Sequence, residues 1–169
     1  MIEHPAVLAL GSNLGDRELT LRQAVRDISA LDGIVLVAAS GIVETTALKP
    51  DGVDPDAPPY LNAVVTIRTT FEPRALLAAV NAIEAGHGRV RDIRWGDRTL
   101  DIDIISFGTL ELDLPELTIP HPRAADRAFV LAPWAQIEPN AIIVGRGRIT
   151  DLLEHTEDRA VPYPSETLL

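Results

Sequence analysis

Apolar and polar residues follow each other along this chain with the periods of alternating strands and helices. A short apolar run over residues 6–10 ends at Gly11 and predicts a buried strand. Asp16 is typical of a helix N-cap, and the apolar residues after it recur at helical spacing until Gly33. Residues 34–45 are rich in Val and Ile, which predicts a second strand.

A loop, a strand, a helix and a further strand follow. The segment KPDGVDPDAPP at 49–59 has four prolines and three aspartates, which predicts a loop. Residues 60–70 predict a third strand, and residues 73–86 predict a helix with Pro at its first position and Gly at its end. Residues 100–107 predict a fourth strand.

The order βαββαβ predicts an α+β fold of the ferredoxin-like kind, an antiparallel sheet with both helices packed on one face. The rest of the chain predicts a C-terminal extension with short helices near 123–129 and 150–155, and residues 140–169 carry no motif that points to a function. No repeat or domain boundary is evident, so we expect residues 1–169 to form one domain. This fold hosts many unrelated activities, so function must be argued from side chains.

Composition and charge exclude several classes of protein. The chain has no cysteine, which rules out disulfides and thiolate metal sites. A net charge of −10 argues against a broad nucleic-acid surface. No apolar run approaches the ~18 residues of a membrane span, and the N-terminus lacks the pattern of a signal peptide. We therefore expect a cytoplasmic, monomeric protein with no nucleic-acid or membrane partner.

Two aspartates on the fourth predicted strand are candidate metal ligands. In TLDIDIIS, Ile102 and Ile104 point to one face of the strand. Asp101, Asp103 and Ile105 point to the other, and a rise of about 3.3 Å per residue separates the two carboxylates by ~6–7 Å. Magnesium suits such a pair because waters and substrate phosphates complete its octahedron. The alternative is a solvated strand face whose aspartates pair with arginines.

Four arginines precede this strand, within GRVRDIRWGDR at 88–98: Arg89, Arg91, Arg94 and Arg98. Guanidinium groups present planar forks of donors that match phosphate oxygens. The alternative is a set of exposed ion pairs, each worth about 0–1 kcal/mol. Arginines that lead directly into a carboxylate pair favour metal–nucleotide binding and phosphoryl transfer, where catalysis is mostly positioning and charge stabilisation.

The third predicted strand offers a possible acceptor site. Tyr60 and Asn62 share one face, and an aromatic ring beside an amide can stack on a flat heterocycle and hydrogen-bond to its edge. The alternative is the half-exposed start of a strand.

These motifs together resemble the 6-hydroxymethyl-7,8-dihydropterin pyrophosphokinase family of folate biosynthesis. The RWGxRTLDxDI string and the later PH…R.FVL.P segment are its most specific parts. The resemblance runs through ALGSNLGD at 9–16, ETTAL at 44–48, PYLNAVV at 59–65, IEAGHGRVR at 83–91, RWGDRTLDIDII at 94–105 and IPHPRAADRAFVLAPWAQIEP at 119–139.

The resemblance implies transfer of a diphosphate from ATP to the hydroxymethyl group of 6-hydroxymethyl-7,8-dihydropterin, with AMP as the second product. It implies that Asp101 and Asp103 hold two Mg²⁺ ions around the ATP phosphates, and that Arg89 and Arg98 act with them as catalytic residues. The ATP-binding residues that it implies are Glu84, Arg91, Arg94, Trp95, Arg98, His121 and Arg127. The pterin-binding residues that it implies are Thr45, Leu48, Tyr60, Asn62, Trp95 and Phe129.

Three positions depart from residues common in that family, Thr46, Asp97 and Pro122. Two other functions stay open at this point. The chain could be a catalytically silent relative that binds nucleotide, or a ferredoxin-like RNA-binding module that reads bases with strand aromatics. Only 4% of the residues are aromatic, which disfavours the RNA-binding module.

Overall fold

The computed structural model describes residues 2–13, 15–45, 48–49, 52–53, 59–87, 100–165 and 168, of which 48–49 and 52–53 are described by their backbone alone. The strands are β1 His4–Ser12, β2 Ile34–Ala39, β3 Val43–Thr45, β4 Leu48–Lys49, β5 Gly52–Val53, β6 Tyr60–Thr69, β7 Asp101–Phe107, β8 Leu112–Asp113, β9 Thr118–Ile119, β10 Ile142–Ile143, β11 Gly147–Arg148 and β12 Val161–Pro162. The helices are α1 Arg17–Ser29, α2 Pro73–Gly86, α3 Ala128–Ile137 and α4 Ile149–Glu154, with a 3₁₀ turn at Ala124–Asp126. None of these helices has the length and apolar character needed to cross a membrane.

The main sheet has the strand order β12-β3-β6-β1-β7, and β2 pairs with β6 next to β3. All these pairings are antiparallel. Because β2 and β3 lie on the same side of β6, they act together as the second strand of the predicted βαββαβ order. The α+β, ferredoxin-like prediction is therefore confirmed.

The predicted second strand, 34–45, is divided into β2 and β3 by Ser40. The Ser40 hydroxyl accepts a hydrogen bond from the backbone N–H of Val64 at 2.9 Å, and the Ser40 N–H donates to the Val64 carbonyl at 2.9 Å. A side-chain oxygen thus takes the place of a strand carbonyl, which interrupts the ladder at this position.

Helices α1 and α2 pack on one face of the sheet, which we name the first face. Asp16 caps α1 as predicted, since its Oδ1 accepts from the N–H of Leu19 at 3.1 Å. Alternate strand residues such as Leu8, Val65 and Ile102 are buried with the apolar residues of both helices. The prediction that both helices cover one face is confirmed.

The C-terminal extension covers part of the opposite face, which we name the second face. Val7, Val64 and Ile105 are buried there against Trp134 of α3. The helix predicted near 123–129 is instead a short 3₁₀ turn followed by α3, because Arg127 between them has an extended backbone with φ −113° and ψ 109°. A register shift opposite Val7 and Leu8 also leaves Ile105 as an extra residue in β7.

Candidate active site

Polar side chains gather on the second face at one end of the sheet. The strand register places Asn62 of β6 beside Gly11 of β1, and Gly11 beside Asp101 of β7. Neighbouring strands lie about 4.8 Å apart, so Asn62 and Asp101 are separated by ~10 Å across β1. The two predicted groups of residues, one for a heterocycle and one for a metal, therefore face the same space from adjacent parts of the sheet.

Gly11 lets the Asn62 amide lie across the middle strand. A Cβ atom at Gly11 would stand 2.8 Å from Asn62 Oδ1 and 3.5 Å from Tyr60 Cδ1. The amide is held from its other end as well, because Asn62 Nδ2 donates to Thr45 Oγ1 at 3.0 Å. Both Asn62 and Thr45 are buried. The Asn62 amide can adopt this orientation because Gly11 has no side chain to collide with Oδ1, and the buried hydrogen bond from Nδ2 to Thr45 fixes the orientation.

Arg17 ties together the two strands that carry Thr45 and Tyr60. Its Nη1 donates to Glu44 Oε2 at 3.3 Å and to the carbonyl of Pro59 at 2.7 Å. Glu44 precedes Thr45 on β3, and Pro59 precedes Tyr60 on β6. One guanidinium group at the start of α1 therefore positions the neighbours of two of the six predicted pterin-binding residues, Thr45 and Tyr60.

His121 faces the aspartate pair. Its Nε2 lies 3.9 Å from Asp103 Oδ2, and its backbone N–H donates to the carbonyl of Ile105 at 2.9 Å. The ring nitrogen Nδ1 accepts from the backbone N–H of Arg123 at 3.2 Å, so the neutral ring carries its proton on Nε2. Burial lowers the pKa of His121, and Arg127 and Arg123 add to that effect while Asp103 opposes it.

Arg127 and Phe129 flank the first residue of α3. The Arg127 Cζ lies 5.3 Å from the centroid of the Phe129 ring, a cation–π distance. Burial lowers the pKa of Arg127, while the charges of Asp103, Asp158 and Asp101 raise it. An arginine stays protonated at neutral pH in any case. A positive charge therefore stands near both aspartates of β7.

Glu84 approaches β7 from the side of α2. It is 2% exposed, and its Oε2 accepts a hydrogen bond of 2.8 Å from the backbone N–H of Ile102. Ile102 lies between Asp101 and Asp103, so this buried carboxylate holds the strand segment that carries the aspartate pair.

The donor set on β7 fits magnesium. Asp101 and Asp103 are half-buried and share the second face. Within the part of the chain that the structure describes, no group of three or more His, Asp and Glu side chains could hold a metal. Two hard carboxylate oxygens suit an ion that takes its other ligands from water and phosphate, as Mg²⁺ does.

Several predicted site residues lie outside the described residues: Arg89, Arg91, Arg94, Trp95 and Arg98. Leu48 is described by its backbone alone, in β4. The stretch 88–99 follows His87 at the end of α2 and precedes Leu100, the residue before Asp101. It therefore connects α2, which carries Glu84, to β7, whose Ile102 N–H donates to Glu84.

Three residues around the site were not found from the sequence. Gly11 belongs to ALGSNLGD, a segment of the family resemblance to which no role in the site was assigned, and Arg17 belongs to no motif. Asp158 accepts from the backbone N–H of Ala128, at 3.1 Å to Oδ1 and 3.0 Å to Oδ2. No local signal marks Asp158, because its partner is 30 residues away in the chain.

The chain is similar to known proteins over most of its length. The family model for 7,8-dihydro-6-hydroxymethylpterin-pyrophosphokinase (HPPK) matches residues 7–139. A Bacillus subtilis 2-amino-4-hydroxy-6-hydroxymethyldihydropteridine pyrophosphokinase is 43% identical over 132 residues, which cover 78% of this chain and 77% of that protein. A Pseudomonas aeruginosa protein of the same name is 40% identical over 146 residues, which cover 86% of this chain and 88% of that one.

Solved structures agree in fold. A crystal structure of HPPK-DHPS in complex with substrates has a TM-score of 0.70 at 13% identity and covers 91% of this chain. The wild-type Plasmodium falciparum HPPK-DHPS with pteroate also has a TM-score of 0.70, at 15% identity, and covers 90% of this chain. This chain spans less than half the length of those two, 43% and 42%. The sequence relatives and the family match lead to one conclusion, that this chain belongs to the 7,8-dihydro-6-hydroxymethylpterin-pyrophosphokinase family.

Proposed function

We propose that this protein transfers a diphosphate group from ATP to the hydroxymethyl group of 6-hydroxymethyl-7,8-dihydropterin, a step of folate biosynthesis. The observation that carries the proposal is the row of residues Asn62, Gly11 and Asp101 across three neighbouring strands. This row brings an amide suited to a heterocycle and a carboxylate suited to magnesium to the same end of one sheet face. The family relatives carry the name of this reaction.

The acceptor is a flat ring system that the β6 side of the row would bind. Tyr60 and Phe129 supply the two aromatic rings, and Asn62 supplies an amide whose Oδ1 can accept from ring N–H groups. Thr45 supports this amide through the hydrogen bond to Nδ2 at 3.0 Å. Leu48 and Trp95 complete the pterin-binding set that we propose.

The donor is magnesium-bound ATP, which the β7 side would bind. Asp101 and Asp103 would hold Mg²⁺, two ions in our proposal, and the metal supplies neutralisation of phosphate charge. Positive groups would bind the phosphate oxygens beside it: Arg89 and Arg98 on the diphosphate that moves, with Arg91, Arg94 and Arg127 on the rest of the nucleotide. Trp95, which is uncharged, belongs to the nucleotide-binding set that we propose through its indole ring. Glu84 also belongs to the ATP-binding residues that we propose.

His121 acts on this side as a neutral hydrogen-bond donor. Burial lowers its pKa, and Nδ1 accepts from the N–H of Arg123, so the proton on Nε2 is directed outward beside Asp103. A neutral donor can bind a phosphate oxygen without adding to the positive charge of Arg127.

The reaction needs no covalent enzyme intermediate. The hydroxyl oxygen of the pterin attacks the β-phosphorus of ATP, the bond from that phosphorus to the AMP oxygen breaks, and the hydroxyl proton is lost to solvent. The chain contributes by placing donor and acceptor in line and by stabilising the charge on the phosphate oxygens.

AMP release from ATP tests the proposal. We expect AMP only when 6-hydroxymethyl-7,8-dihydropterin and magnesium are both present, and none in excess chelator. If MgATP binds but no AMP forms, the chain is a catalytically silent relative and the proposal is wrong.

We also propose that residues 1–169 work as one monomeric domain with no nucleic-acid partner. The cores on both faces share the strands of one sheet, and the net charge of −10 repels nucleic acid. Size-exclusion chromatography with light scattering should give the monomer mass of 18.3 kDa; a dimer mass would contradict this.

A further inference from the structure

The segment 156–163, which we name the C-terminal strap, carries no motif but reaches the acceptor side of the site at two places. One end contacts the beginning of α3, and the other pairs with β3. These are the two elements that carry Phe129 and Thr45.

The first contact is Asp158 at the N-terminus of α3. Both of its carboxylate oxygens accept from the N–H of Ala128, at 3.1 Å and 3.0 Å. The N-cap residue Arg127 makes no capping hydrogen bond with its own side chain among the described residues. The first N–H groups of a helix lack partners within the helix, and a carboxylate there also interacts favourably with the helix dipole. Asp158 thus supplies, from a distant part of the chain, the capping carboxylate that the N-cap residue Arg127 does not provide.

The second contact extends the main sheet beside β3, the strand that carries Thr45. Val161 of β12 pairs with Glu44 of β3, and Pro162 pairs with Val43. The N–H of Tyr163 donates to the carbonyl of Ile42 at 2.9 Å, which continues the pairing by one residue. Glu44 is the neighbour of Thr45, so β12 lies against the strand that supports the Asn62 amide.

We propose that the C-terminal strap is a positioning element for the acceptor pocket, with Asp158 as its main positioning residue. Asp158 holds the first turn of α3, and therefore Phe129, while β12 holds β3, and therefore the pair Thr45 and Asn62. The strap sets the separation between the two walls of the pocket. The inference rests on the proposed function, because it assigns these walls to the pterin.

The chain offers a matched control. Glu157 precedes Asp158, carries the same charge and is likewise exposed. Asp158→Ala removes the acceptor for the Ala128 N–H, whereas Glu157→Ala changes the net charge equally. Asp158→Asn keeps one acceptor oxygen and removes only the charge.

Steady-state kinetics of AMP release on the full chain test the inference. We expect Asp158→Ala to raise the KM for the pterin about fivefold, the effect of a lost helix cap, with kcat within about twofold and a smaller change in the KM for ATP. Asp158→Asn should recover more than half of the loss, and Glu157→Ala should match the unmodified protein.

Two results would overturn the inference. One is a pterin KM of Asp158→Ala equal to that of Glu157→Ala. The other is an equal rise in both KM values, which a general loss of folded structure would give. If Asp158→Ala does not fold, direct titration of the pterin into Asp158→Asn decides: we expect weaker binding than in Glu157→Asn, and equal binding refutes the strap's role. A failure of the proposed function shows as no AMP from the unmodified protein, whereas a failure of the inference alone shows as an active protein whose Asp158 variants behave like the Glu157 controls.

Discussion

Replacement of Gly11 by alanine should damage the acceptor pocket without touching any predicted catalytic residue. The added Cβ would stand 2.8 Å from Asn62 Oδ1, a separation that real Cβ atoms essentially never show. To reach ordinary contact at 3.4 Å, the amide oxygen must retreat by about 0.6 Å. Asn62 cannot retreat freely, because its Nδ2 donates to the buried Thr45 hydroxyl.

The expected cost follows from the two opposing effects of this change. Gly11 has no positive φ, so alanine fits its backbone and gains about 0.5–1 kcal/mol from the reduced freedom of the unfolded chain. A buried hydrogen bond that is broken with both groups left unpaired costs roughly 1–3 kcal/mol. The clash therefore prevails, and we expect a net loss of about 1–2 kcal/mol, which lowers the Tm by about 2–8 °C.

Thermal melts and pterin titrations measure this effect. We expect Gly11→Ala to weaken pterin binding about five- to thirtyfold, the equivalent of ~1–2 kcal/mol, with ATP binding unchanged. Gly86→Ala is the matched control. Gly86 ends α2, has no positive φ and has no described atom within 4 Å of an added Cβ, so this variant should melt at or above the Tm of the unmodified protein.

A double variant tests the reason for the loss. In Asn62→Ala the Cβ added at position 11 has no amide to collide with, and its remaining contact, 3.5 Å to Tyr60 Cδ1, is an ordinary van der Waals distance. Gly11→Ala should therefore be neutral or stabilising when added to Asn62→Ala, although it is destabilising alone. An equal cost in both backgrounds, or a Gly11→Ala protein that melts and binds pterin like the unmodified protein, would show that the Asn62 amide does not depend on the missing side chain at Gly11.

Three further predictions follow from the site. Asp103→Ala should abolish AMP release while the protein still melts cooperatively, because the Asp103 side chain is 46% exposed. The exposed Asp113→Ala is the control. An active Asp103→Ala protein, or an equal loss of AMP release in Asp113→Ala, would contradict the assignment of Asp103 as a metal ligand. Tyr60→Ala should weaken pterin binding about tenfold in calorimetric titration, since stacking contributes ~1 kcal/mol or more, and an unchanged affinity would exclude Tyr60 from the pocket. Burial lowers the pKa of His121 in the folded state, so the unfolded chain takes up this proton more readily and stability is lost as the pH falls below about 6.5. The free energy of unfolding of His121→Gln should consequently fall less between pH 7 and pH 5 than that of the unmodified protein, and an equal or larger fall would contradict this.

The long strands β1, β6 and β7, the helices α1 and α2 and the face that these helices cover could be predicted, because the period of apolar residues reports them directly, whereas the two-residue strands are too short to show a period. Alternation along one strand is enough to place Asp101 and Asp103 together, and likewise Tyr60 and Asn62. Alternation says which face a residue occupies but not which strand lies beside it. The juxtaposition of Asn62, Gly11 and Asp101 depends on the order and register of β6, β1 and β7, which cannot be read from the apolar pattern of one strand.

Long-range partners were beyond prediction for a different reason. Asp158 and the Ala128 N–H are 30 residues apart, and His121 meets Asp103 only because the chain after β9 returns to the second face. Such pairs arise from packing of distant elements, and no local pattern encodes them. The division at Ser40 was missed because one hydroxyl that replaces a backbone partner does not change the apolar period.

The most direct measurement follows the β-phosphate of ATP. ATP labelled with ³²P at the β position is incubated with the protein, magnesium and 6-hydroxymethyl-7,8-dihydropterin, and the products are separated. We expect unlabelled AMP and a labelled pterin that carries two phosphates, because the pterin hydroxyl attacks the β-phosphorus. Label that stays in ADP, with one phosphate on the pterin, would show transfer of a single phosphate and exclude diphosphate transfer.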